Sequence, residues 1–137
     1  MSENSDEISL YDQIGGAPTL KKLVDAFYHT MDIAPEAKEI RDMHAADLSE
    51  ANQKLFEVLS GWMGGPSLYI EKHGHPRLRA RHLPFKIGMK ERDQWLFCFH
   101  QALIQSGIQD PARKILWLSI GRLADHMRNQ NEPTTTG

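Results

Sequence analysis

From residue 10 to residue 130 the apolar positions recur at helical spacing and nowhere in the strict alternation of a strand. Leu20, Val24, Phe27 and Met31 fall at offsets of 4, 7 and 11 from the first, so they share one face and predict a long helix. A second stripe, Leu48, Leu55, Val58, Leu59 and Trp62, is opened by Asp47 or Ser49 as a cap and closed by Gly64-Gly65-Pro66. Trp95, Cys98, Phe99, Ala102 and Leu103 form a third that ends near Gly107. Leu116, Ile120, Leu123 and Met127 form the fourth, with Asp110 as the cap and Pro111 at the first helical position.

Shorter pieces are expected between these stripes: a turn at Tyr11 to Ile14, a short helix at Pro35 to Met43, and another at Pro76 to Leu83. Gly64 to Gly74, with its glycines, its proline and polar residues, reads as a loop. Four long helices without strands predict an all-α fold. The polar start, Met1 to Glu7, and the tail Glu132 to Gly137 have no apolar anchor. One domain over 10–130 is therefore expected between a flexible segment 1–9 and a disordered tail 131–137.

A chain of 137 residues supports one hydrophobic core. Its 16 basic and 18 acidic residues leave a formal charge of −2, with no basic excess for a nucleic acid. No apolar stretch approaches the roughly 20 residues a membrane span needs, and the acidic start is unlike a signal peptide. A cytoplasmic protein, a monomer or weak dimer, is expected. Cys98 is the single cysteine, so any metal must be held by histidine or carboxylate. On the stripe beside Trp95, Cys98 reads as packing.

Candidate chemistry centres on four of the seven histidines. His82 shares a short helical face with Leu78 and Phe85 and reads either as a ligand for something buried or as a core histidine bonded to carbonyls. Arg77, Arg79 and Arg81 on the same stretch suit the carboxylates of an anionic cofactor or form a solvated face. Tyr28 and Trp95 are amphipathic aromatics on apolar stripes, able to donate hydrogen bonds to a bound ligand without adding charge, and His44 is a candidate for a third such ligand-stabilising donor. His73, His75 and His82 together would make a zinc-type site, although His75 is held extended by the proline after it. The chain has no His-Glu-x-x-His, no phosphate-binding glycine loop and no Gly-x-Ser-x-Gly elbow, so hydrolase and kinase chemistry find no support.

From about Leu10 to Met127 the residues resemble the group II truncated haemoglobins. The markers are Leu10-Tyr11-Asp12-Gln13-Ile14-Gly15-Gly16, Phe27-Tyr28, Gly64-Gly65-Pro66, Gly74-His75-Pro76-Arg77-Leu78-Arg79, His82-Leu83-Pro84-Phe85 and Glu91-Arg92-Asp93-Gln94-Trp95. The resemblance implies a truncated globin, a two-over-two helical sandwich around haem b (iron protoporphyrin IX). It implies His82 as proximal iron ligand, Tyr28 as distal tyrosine and Trp95 as the tryptophan that marks groups II and III. His44 falls where relatives carry tyrosine, phenylalanine or histidine, and Ala51 and Leu55 at distal-helix positions facing the ligand. Either His44 or Tyr28 is a candidate sixth ligand.

On this resemblance Phe27, Ala51, Leu55, Val58, Leu78 and Phe85 line the haem pocket, and Arg81, Lys54 and Tyr69, with Arg79, hold the propionates. The implied activity is reversible binding of dioxygen, nitric oxide and carbon monoxide, with oxygen transport, nitric oxide dioxygenase or peroxidase-like redox chemistry as uses and a reductase, unidentified, as partner. The competing readings are a gas or redox sensor, an all-α interaction module without haem, and the non-haem histidine–metal site.

Overall fold

The computed structural model describes residues 8–77, 80, 82 and 85–129. The expected flexible start and disordered tail fall almost wholly outside them. The described elements are α1 (Leu10–Ile14), α2 (Ala17–Ile33), a 3-10 turn (Pro35–Ala37), α3 (Lys38–Asp42), α4 (Ser49–Trp62), α5 (Leu68–His73), α6 (Met89–Ser106) and α7 (Ala112–His126). No strand occurs among the described residues. The all-α expectation holds.

The α2 stripe forms the centre of the core. Leu20, Leu23, Val24 and Phe27 are fully buried and Met31 nearly so, and α2 packs on both α6 and α4. Burial of one such side chain is worth about 1.5–3 kcal/mol, so this face alone commits α2 to its place. Helix α6 supplies Cys98, Phe99, Ala102 and Leu103, and α7, packed against it, supplies Leu116 and Ile120. Two helix pairs, α2 with α4 and α6 with α7, thus meet through the α2–α6 contact.

Helix α4 departs from the expected pattern in a way that bears on function. Of its apolar stripe only Leu59 enters the core; Leu55 and Val58 are half-buried and Trp62 is 37% exposed. Its start also differs: Leu48 takes the capping position without a side-chain bond, and Asp47 instead accepts the N–H of Ser49 at 2.9 Å. At α7, Pro111 stands one position before the first helical residue and no side-chain cap forms; Asp110 pairs with Arg113 at 3.4 Å.

Gly64 to Gly74 is not all loop, because α5 occupies Leu68–His73. Tyr69 is buried there, and Lys72 reaches Glu57 of α4 at 2.5 Å. These tertiary contacts, rather than local propensity, hold six residues in a helix too short to stand alone. The turn before it depends on close approach. Gly64 has φ +89°, and a Cβ on Gly65 would lie 2.5 Å from the Tyr11 ring, while Tyr11 N–H donates to Met63 O at 2.9 Å.

Candidate functional site

Two features of the fold come together beside α4. A cleft of about 530 Å³, lined mostly by apolar side chains, opens between α4, α5, the Pro76–Ala80 stretch and the end of α7. Val58 and Trp62 face it from α4, Tyr69 and Ile70 from α5, and Leu123 and Met127 from α7. This is why the α4 stripe is incompletely buried: part of it serves a cavity. The size falls within the range of small-molecule and cofactor sites.

On the inner side of α4, aromatic residues of α2 and α6 form a cluster. Phe27 is fully buried, with its ring centroid 4.9 Å from Tyr28 and 4.7 Å from Trp95. Trp95 stacks on Phe99 at 5.5 Å, and His44 sits edge-on to Tyr28 at 6.0 Å. Ala51 and Leu55 of α4 pack against the same core. Of the three polar groups singled out in the sequence, Tyr28 thus meets His44 directly and is linked to Trp95 through the Phe27 ring.

Their hydrogen bonding differs. His44 Nδ1 lies 2.8 Å from the Ile40 carbonyl. The Tyr28 hydroxyl and the Trp95 indole N–H make no hydrogen bond to any described residue, although Tyr28 is only 8% exposed. Burial pushes the phenol far above its ordinary pKa, so it keeps its proton. Side-chain donors not used within the protein are available to bond something else. A second cleft, of about 520 Å³ and polar, opens between α2 and the start of α4 and includes Tyr28 in its wall.

His82 is half-buried, and its carbonyl accepts hydrogen bonds from Phe85 N–H at 3.0 Å and Asn129 Nδ2 at 3.1 Å. The chain reaches it through Arg77, which adopts φ 49° and donates its N–H to His75 Nδ1 at 3.1 Å. Leu78, Arg79 and Arg81, expected at the pocket and the propionates, lie outside the described residues. Of the other expected contacts, Tyr69 lines the cleft, Lys54 is exposed and paired with Glu50 at 2.9 Å, and the Phe85 side chain is 42% exposed.

Among the described residues no group of three or more histidine, cysteine or carboxylate side chains is placed to hold a metal ion. His73 is turned to Glu57 at 3.6 Å and to the Tyr69 ring at 4.6 Å. Cys98 is buried against the core, which pushes its thiol up to about 12. No described helix is long and apolar enough to cross a membrane.

Sequence reasoning missed Glu57. It is 2% exposed, accepts from Gln53 Nε2 at 2.9 Å and from Lys72, and stands in the cleft wall. It also missed Gln94, whose Oε1 accepts Ile40 N–H at 3.2 Å and whose Nε2 donates to Glu39 at 2.6 Å. The one signal for Glu57 was an acid flanked by Phe56 and Val58 on an otherwise apolar stretch.

A mostly apolar cleft of cofactor size, whose wall includes Ala80, two residues before the half-buried His82, fits a flat apolar group. Comparison with known proteins agrees. Residues 9–129 match the family of bacterial-like globins. The chain is 41% identical over 122 residues to the group 2 truncated hemoglobin YjbI of Bacillus subtilis, covering 89% of each chain. Among solved structures, the group II 2-on-2 hemoglobin of Agrobacterium tumefaciens is 45% identical with a TM-score of 0.88, over 96% of this chain and 100% of that one. The truncated oxygen-avid haemoglobin of Bacillus subtilis is 39% identical with a TM-score of 0.81, over 89% and 100%.

Proposed function

This chain belongs to the bacterial-like globins, as a group II truncated haemoglobin, and from that premise we propose that it carries haem b on His82 and retains dioxygen through Tyr28 and Trp95. Haem would supply, when bound, an iron centre able to take a diatomic gas. The observation that carries the reading is that Tyr28 and Trp95, both packed on the Phe27 ring, keep their hydroxyl and indole N–H out of hydrogen bonds to described residues.

The two donors act in complementary ways. Tyr28 keeps its proton at every physiological pH because burial disfavours the phenolate, so it is a constant donor toward the gas. Trp95 donates one N–H and accepts nothing, so it favours a ligand that carries partial negative charge. Ala51 contributes no polar group, leaving stabilisation to the aromatic pair. Each desolvated bond to such a ligand is worth about 1–3 kcal/mol, roughly a 5- to 150-fold slower release. Phe27 and Phe99 hold the Trp95 ring in place on two sides.

Strong retention suits chemistry or sensing better than transport. The oxygen-avid description of the Bacillus subtilis relative supports that direction. Oxidation of nitric oxide to nitrate by bound dioxygen, with a reductase as partner, is the use we favour, and peroxide-linked redox chemistry is the second. The propionates would meet Tyr69 and the basic residues around Arg77, with Lys54, Arg79 and Arg81 as further contacts.

Purified protein reconstituted with haem should show an intense Soret band that is lost in His82→Gly. Tyr28→Phe and Trp95→Phe should each speed dioxygen release by the factor above. Unchanged release in both variants would remove the donor model.

A further inference from the structure

The end of α7 carries a second role that resides in one side chain. Past His126 the chain is still held, with Met127 N–H bonded to Leu123 O at 3.2 Å and Arg128 N–H to Asp125 O at 3.1 Å. Asp125 is gripped by Arg92 at 2.6 Å and by Arg128 at 3.0 Å, which ties this end of α7 to the start of α6. Asn129 is thereby delivered to a defined place.

From that place Asn129 makes four bonds to one short stretch. Its backbone N–H donates to Ile87 O at 2.8 Å, and its Oδ1 accepts Ile87 N–H at 3.0 Å. Its Nδ2 donates to Phe85 O at 2.8 Å and to His82 O at 3.1 Å. The two hydrogens of the amide and its oxygen are all used, a pattern that asparagine alone can supply with a side chain of this length. Aspartate keeps the acceptor and loses both donors. An aliphatic residue loses all three bonds.

An asparagine that staples a loop is common. This one differs because it grips the peptide carbonyl of His82 itself, and it does so from just past the helix end where Leu123, His126 and Met127 line the apolar cleft that Ala80 also lines. One residue therefore links the histidine backbone to that end of the helix. We propose that Asn129 is a positioning residue for the proximal ligand, fixing the height and tilt of the His82 backbone relative to the cleft and so the bond His82 makes to iron. This rests on the reading of His82 as that ligand.

The test separates the two. Asn129→Asp and Asn129→Ser are compared with wild type by the ferrous iron–histidine stretch in resonance Raman, by haem transfer to an acceptor globin, and by amide exchange at Phe85 and Ile87 in the apoprotein. Expected are a shifted or broadened stretch, haem transfer faster by about tenfold, as loss of one or two hydrogen bonds implies, and faster exchange at Phe85 in both variants and at Ile87 in Asn129→Ser, since aspartate keeps the Ile87 acceptor. The same substitutions are then placed in His82→Gly protein supplied with free imidazole, where the ligand is no longer joined to the backbone. There the iron–imidazole stretch should not respond to residue 129.

An equal response in both backgrounds would show damage to the pocket at large and overturn the proposal. So would faster amide exchange with an unchanged stretch and unchanged haem transfer, which would leave Asn129 a loop staple only. Retention of the wild-type stretch in His82→Gly without imidazole would instead overturn the ligand assignment beneath it.

Discussion

His44 Nδ1 lies 2.8 Å from the carbonyl oxygen of Ile40, four residues earlier. A carbonyl only accepts, so Nδ1 carries the proton and Nε2 of the neutral ring is a bare lone pair. Neutral His44 is therefore an acceptor or a metal ligand, and the expectation that it donates to a bound gas alongside Tyr28 and Trp95 is corrected, since its one N–H is spent on Ile40. Replacing it with leucine is expected to reduce the six-coordinate low-spin fraction of the ferric protein, read from resonance Raman spin-state bands. The dioxygen off-rate should change by less than about twofold, against the larger effects at Tyr28 and Trp95. A faster off-rate matching that of Tyr28→Phe would overturn this assignment.

The same carbonyl belongs to a residue whose N–H is capped from a distance. Helix α3 has five residues, and the N–H groups of its first turn have no partner within it. Gln94, adjacent to Trp95 on α6, accepts the Ile40 N–H and donates to Glu39, and Lys90 adds an ion pair to Glu39 at 3.1 Å. The Gln94 and Lys90 bonds hold the Glu39 carboxyl at about 2. Gln94→Leu is expected to return Glu39 toward the usual carboxylate value of about 4.3, followed by the carboxyl carbon shift in an NMR titration. Amide exchange at Ile40 should quicken at the same time, since α3 loses its cap. No movement of Glu39 would show that Lys90 alone sets it.

These links mark the border of what the sequence can reveal. The four long helices were legible because Leu20, Val24, Phe27 and Met31, and their counterparts, repeat a local spacing that burial then rewards. Tyr28 and Trp95 were legible for the same reason, as polar-tipped aromatics on apolar stripes. Helix α5 was not, because Leu68–His73 owes its shape to Tyr69 burial and to Glu57, which lies on another helix. Gln94 and Asn129 look like ordinary surface amides until the fold brings Ile40 and His82 to them. His82 itself was ambiguous by local pattern, and only its agreement with distant family markers singled it out.

Glu57 gives the fold an acid sensitivity with a definite sign. Hydrogen bonds from Gln53 and then Lys72 outweigh burial and hold its carboxyl below the usual range. A lowered folded pKa means that the unfolded chain binds the proton more tightly. Its contribution to stability is thus full above the unfolded carboxylate value, about 4.3, and is lost as pH falls through the lowered folded value. Amide exchange across α5 should rise in that window as Lys72 and His73 lose their anionic partner. Glu57→Gln should show raised exchange at neutral pH and little further change in acid. Identical acid profiles for the two proteins would place the transition elsewhere.

The family markers at the two ends of the early chain are physically one contact. A Cβ on Gly65 would stand 2.5 Å from the Tyr11 ring, while the backbone on both sides is pinned by Tyr11 N–H to Met63 O at 2.9 Å and Gly65 N–H to Ser60 O at 2.8 Å. The two backbones cannot part without breaking a hydrogen bond, so the Tyr11 ring itself would have to turn aside. Gly65 is not among the glycines with positive φ, so alanine there meets a steric obstacle and no backbone strain. Gly65→Ala is expected to cost about 1–3 kcal/mol by overpacking, measured from urea unfolding midpoints. In a Tyr11→Ala background the ring is gone, and the same substitution should then cost almost nothing. Equal costs in the two backgrounds would mean that the obstacle is not Tyr11 and that the turn tolerates only glycine for another reason.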